Sequence, residues 1–93
     1  MKRVAVLLAP GFEEGEAIVT IDILRRLNIE VETLSCVATR AVESYHAIPM
    51  VADSTLKEAF DATYDAVVLP GGPAGSVFLA QSAEVIDFVR RHD

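Results

Sequence analysis

Three glutamates crowd one short stretch of this chain: Glu13, Glu14 and Glu16, in the run APGFEEGE. A second Pro-Gly run, LPGGPAG, carries Gly71 and Gly72. A carboxyl group set in a folded site can move a proton as a general acid or base, or tune the pKa of a neighbouring thiol. A glycine lets a ligand approach the backbone closely, and a free backbone N–H there can stabilise developing negative charge. His46 is the third candidate, since an imidazole can contact an anionic or carbonyl group near neutral pH. Cys36 is the single thiol. It falls within a strand-like segment, so it reads as a small core hydrophobe. His92 offers nothing specific.

The elements that must hold these residues follow from hydrophobic pattern. Val4–Ala9 is a continuous apolar run, which predicts a strand covered on both faces. Pro10-Gly11 ends it, and a helix from Glu14 to Leu27 follows, with Ala17, Ile21 and Leu24 on one stripe and Ile18 beside it. Asp22 and Arg26 stand at i,i+4, and Asn28 suits the helix end. Glu30–Val37 predicts a second strand. A polar interlude containing His46 then leads to a short extended piece over Ala47–Val51. DSTLKEAFD predicts a short helix capped by Asp53 or Ser54. Ala66–Leu69 predicts the third core strand. Pro73 opens one more helix, and a last helix from about Ser82 carries Val85, Ile86 and Val89.

Strands alternating with helices imply an α/β fold with a parallel sheet. Three buried strands need a layer on each face, and 93 residues are few for such a three-layer sandwich. The chain is therefore expected to form part of a larger fold. The net charge of −6, with basic residues only in pairs, argues against nucleic acid or an anionic membrane as partner. One cysteine excludes an internal disulfide framework and agrees with a cytoplasmic setting. The opening MKRVAVLLAPG has too short an apolar run for a signal peptide, and no run is long enough to span a bilayer.

In an open parallel sheet, ligands bind beyond the carboxyl ends of strands where the strand order reverses. With the first strand central, that point falls between APGFEEGE and LPGGPAG. Neither loop holds a G-x-G-x-x-G or a G-x-x-x-x-G-K-[ST] phosphate motif. The acidic loop would repel a phosphate. For Glu13 and Glu14 the expected role is that of helix-start acids facing the helix dipole.

APGFEEGE, followed by YDAVVLPGG, together with TIDILRR and VADSTL, resembles the DJ-1/PfpI (ThiJ) superfamily over essentially the whole chain. The resemblance implies a three-layer flavodoxin-like α/β domain, of which residues 1–93 would be the N-terminal half. It also implies a reactive cysteine on a strand-to-helix elbow beyond this segment. Glu16 matches the glutamate that pairs with that cysteine. Gly71 and Gly72 match the glycine pair whose backbone N–H acts as an oxyanion-type donor. His46 stands where some relatives carry an arginine at the rim of the substrate site, the other reading being a solvated loop histidine.

The activity implied is cofactor-independent glyoxalase or deglycase chemistry on small carbonyl compounds, or amide and peptide hydrolysis. The alternative is a non-enzymatic stress-response, redox-sensing or chaperone-like module, or an inactive fragment. No cofactor and no metal are expected. The partners expected are the remainder of the domain and a second copy of the chain.

Overall fold

The computed structural model describes residues 2–92. The chain runs β1 (Arg3–Leu8), α1 (Glu14–Arg26), β2 (Glu30–Ser35), β3 (Ala41–Glu43), β4 (Pro49–Val51), β5 (Ser54–Thr55), β6 (Ala66–Val68), α2 (Pro73–Gln81) and α3 (Ala83–Arg91). Four strands form a parallel sheet in the order β5-β2-β1-β6. The first strand lies inside the sheet between β2 and β6, the arrangement on which the placing of the crevice depends, and the order reverses between β1 and β6.

Alternate residues of β1 feed two separate cores. Ala5 and Leu7 join Leu34, Leu56, Leu79 and Phe88 on one face. Val4, Val6 and Leu8 join Phe12, Ala17 and Ile21 on the other. That division is why β1 reads as an unbroken apolar run rather than an alternating one. Helix α1 covers one face of the sheet, and α2 with α3 covers the other.

Helix ends obey local chemistry. Glu13 caps α1, its Oε1 accepting the Gly15 N–H at 2.7 Å. Arg25 and Arg26 occupy the last turn, and Asn28 adopts φ 61° just past the end. Arg26 donates to Asp22 at 3.0 Å across one turn. Pro73 starts α2, and Ser82 Oγ accepts the Val85 N–H at 3.2 Å to start α3.

Three expectations need correction. The short helix over DSTLKEAFD does not form. Thr55 and Glu58 make a reciprocal capping pair, with Glu58 Oε1 accepting from the Thr55 N–H at 3.2 Å and Thr55 Oγ1 accepting from the Glu58 N–H at 3.1 Å. Only turns follow it, through Asp61. Asp53, expected as a cap, instead accepts from the backbone and hydroxyl of Thr33 on β2 at 2.9 and 3.1 Å.

The second correction is in the polar interlude, which is a hairpin: β3 pairs antiparallel with β4, matching Val42 to Met50. Only the β4 half was visible as an extended piece. The third concerns exposure. Ile18 is 48% exposed rather than packed beside the α1 stripe. Strand β6, expected to be buried, lies at the sheet edge with Ala66 and Leu69 exposed.

Candidate functional site

The β1–α1 loop and the β6–α2 loop lie against each other at the carboxyl ends of neighbouring strands. The Glu13 N–H donates to the Gly71 carbonyl at 2.8 Å, which ties the two together. A Cβ on Gly72, where φ is 113°, would lie 2.6 Å from the Gly11 carbonyl and 2.9 Å from the Glu13 nitrogen. Only glycine satisfies both that conformation and that approach. Gly75, on the first turn of α2, backs onto Phe12 with no room for a side chain; a Cβ there would be 3.0 Å from the Phe12 backbone. The repeated glycines therefore serve to interlock the elbows.

Glu16 reaches over this junction. Its two carboxylate oxygens stand 2.9 and 3.0 Å from the position a Cβ on Gly71 would occupy. Among the described residues, neither the Gly71 nor the Gly72 N–H has an acceptor. Glu16, Gly71 and Gly72 are thus brought to one place, as the sequence expectation required. Glu16 is exposed, however, and not set in a buried pocket.

An apolar groove of ≈ 480 Å³ opens beside Gly71, walled by Leu69, Pro70, Leu79, Val85 and Val89. It lies between the β6–α2 loop and helices α2 and α3.

His46 and Glu14 meet across the first loop and the β3–β4 turn. Glu14 stands in the first turn of α1, as expected of a helix-start acid, and its carboxyl is also buried. Its Oε1 lies 2.7 Å from His46 Nδ1 on the β3–β4 turn, so His46 is tethered even though 63% of its side chain is exposed. Burial works to raise the Glu14 pKa. The backbone hydrogen bond at Glu14, the His46 hydrogen bond and charge, and the Ser44 side chain together outweigh it, and the carboxyl lies below its ordinary value. Sequence offered no signal for this pair, because the partners are 32 residues apart.

The turn that carries His46 is itself fixed. The Tyr45 N–H donates to the Phe12 carbonyl, the Gly11 N–H donates to the Glu43 carbonyl, and the Tyr45 and His46 rings meet edge to face at 4.7 Å.

Cys36 is buried directly after β2. Burial first, and the charge of Glu84 second, push its thiol up to about 12. A buried thiol held protonated is in keeping with the reading as a core hydrophobe. Among the described residues no helix is long and apolar enough to cross a membrane.

Comparison with known proteins gives one consistent result. The model of the DJ-1/PfpI family matches residues 2–93. Protein dj-1beta of Drosophila melanogaster is 36% identical over 92 residues, covering 99% of this chain and 49% of that protein. Protein DJ-1 homolog B of Arabidopsis thaliana is also 36% identical over 92 residues, covering 99% of this chain and 21% of its own length. A cysteine-to-alanine mutant of a DJ-1 superfamily protein from Salmonella typhimurium, solved by crystallography, superposes with a TM-score of 0.98 at 72% identity, over 100% of this chain and 50% of that one. The chain spans about half the length of the fly and Salmonella proteins.

Proposed function

This chain belongs to the DJ-1/PfpI family, and we propose from that premise that it supplies the carboxyl partner and backbone donors of a cysteine-dependent site. The nucleophile would come from the remainder of the same domain, residues 1–93 being its N-terminal part. The single observation that carries this reading is the Glu16 carboxylate held against Gly71 beside two unused backbone N–H groups. Support for a missing remainder comes from the half-length match to relatives and from the open edge of β6, which pairs only with β1 among the described residues.

The substrate class we favour is a small 2-oxoaldehyde. The thiolate adds to the aldehyde carbon, and the new oxyanion takes hydrogen bonds from the Gly71 and Gly72 N–H groups. Glu16 exchanges a proton with the thiol and the adduct oxygen. Moving the carbon-bound hydrogen from C1 to C2 oxidises the first carbon to a thioester and reduces the second to an alcohol. Water then cleaves the thioester, returning the thiol and a 2-hydroxy acid. Deglycase-type and amide substrates would use the same nucleophile and donors. His46 would touch substrate only at the rim. A second copy of the protein would pack on the exposed apolar side of α1, where Val19, Ile23 and Leu27 recur at four-residue spacing.

The test is turnover of methylglyoxal, and of an amide substrate in parallel, by the intact protein and by Glu16→Gln. Loss of about 10²-fold or more in the variant is expected. An unchanged rate would overturn the role of Glu16. No turnover of either substrate by the wild type would leave the non-enzymatic alternative in its place.

A further inference from the structure

We propose that Glu13, Glu14 and His46 form a binding site for a first-row divalent metal ion. One ligand atom from each of the three lies within 4.8 Å of the others. That compactness alone means little, since carboxylates often cluster at helix starts. The second observation is Glu14 itself. Only 10% of its side chain is exposed, and its Oε2 is buried with no hydrogen-bond partner among the described residues. A buried carboxylate oxygen without a donor is costly, and a cation is the group that satisfies it.

The chemistry of the ligands selects the class of ion. Two carboxylate oxygens and one imidazole nitrogen suit Zn²⁺ and its first-row neighbours better than Mg²⁺ or Ca²⁺, which favour all-oxygen shells. Bonds of about 2.0–2.2 Å would place the ligand atoms about 3–4 Å apart, so the 2.7 Å contact between His46 Nδ1 and Glu14 Oε1 opens slightly while the widest separation, within 4.8 Å, closes. The ion takes the place of the proton shared between those atoms and lies against both oxygens of the Glu14 carboxylate, so that Oε2 is no longer orphaned, and the ring then carries its proton on Nε2. The exposed side of His46 leaves a coordination position to water, the pattern of an open three-ligand site.

Charge favours the same conclusion. The N-terminus of α1 opposes a cation with about half a positive charge, but two carboxylates outweigh it. Glu13 gives only one oxygen to its cap on Gly15, at 2.7 Å, which leaves the other free to ligate. The backbone bonds of Gly11 and Tyr45 to the β3–β4 hairpin fix the distance between the two segments before any ion arrives. The site is separate from the Glu16 carboxyl and holds whether or not Glu16 serves a thiol.

Calorimetric titration of the chelator-treated intact protein with ZnCl₂ at neutral pH tests this, with Glu14→Gln, His46→Gln and His92→Gln in parallel. The wild type is expected to bind Zn²⁺. The first two variants should lose one equivalent or bind it at least about tenfold more weakly, while His92→Gln binds as the wild type does. Circular dichroism checks that Glu14→Gln folds, and exposed His46→Gln carries the test if it does not. An absence of Zn²⁺ binding in the wild type, or binding unchanged in a folded variant, overturns the site.

Discussion

Glu16 and Gly71, on the loops after neighbouring strands, fit so closely that a methyl group at Gly71 would stand 2.9 Å from the Glu16 carboxylate. The neighbouring glycine is constrained differently. A methyl group at Gly72 would strike backbone atoms of Gly11 and Glu13, and its φ of 113° disfavours any side chain. The two substitutions should therefore separate function from stability. Gly71→Ala meets only the far end of a flexible side chain and should cost less than about 1 kcal/mol of stability, while displacing the Glu16 carboxyl and lowering turnover by roughly 10²-fold. Gly72→Ala should cost roughly 1–3 kcal/mol from backbone strain and contact. Urea denaturation and methylglyoxal turnover of both variants check this; equal stabilities would contradict the assignment.

Phe88 is fully buried between the sheet and α3, with the Phe60 and Tyr64 rings both 6.0 Å away. Phe88→Ala is expected to cost about 3–5 kcal/mol. In a domain this small that is a large share of total stability, so the midpoint of thermal unfolding should fall steeply.

The burial that silences Cys36 also sets an alkaline limit. Its thiol titrates near 9.0 when unfolded and about 12 when folded, so above pH 9 the unfolded chain has lost a proton the folded chain keeps. Burial, followed by the Glu32 hydrogen bond, likewise raises Tyr64 to about 12. The native state binds more protons through this window, so its stability is complete below pH 9 and falls as pH rises towards 12. Denaturation curves from pH 8 to 11 should show the decline, shallower in Cys36→Ala. Thiol-reagent labelling of Cys36 at pH 8 should be slow in native protein and fast in denaturant.

Val19 and Ile23 on α1, and Leu27 at its C-terminal cap, are 55, 51 and 65% exposed. If two copies meet on this stripe, Ile23→Glu should convert a dimer to a monomer with little change in the circular dichroism of the protein. Light scattering coupled to size exclusion reads the outcome, and an unchanged mass would remove α1 from the interface.

Local sequence chemistry determined the core strands β1, β2 and β6, the long helix and the two loops that meet at the carboxyl end of the sheet. The apolar run of β1 announces burial on both faces, and a strand with a core on each side occupies the centre of the sheet. Pro-Gly after β1 and after β6 marks the elbows, since proline removes a ladder donor and the glycines admit positive φ, 85° at Gly11 and 113° at Gly72. The Gly71-Gly72 pair stands out from those elbows, whereas Glu16 is singled out from Glu13 and Glu14 only by the family resemblance. Phe88 escaped the apolar stripe read for α3, yet it is the residue the aromatic cluster closes around.

Only the tertiary structure decided what depends on partners distant in the chain. Thr55 and Glu58 satisfy a helix-start pattern, but only turns follow, and Asp53 bonds across to Thr33 instead. Glu14 looks like its neighbours Glu13 and Glu16 by type and position. It became a buried carboxyl because the β3–β4 hairpin folds back over the first loop and delivers His46 to it. Burial and pairing of a charged side chain are properties of the surroundings, which the residue itself does not encode.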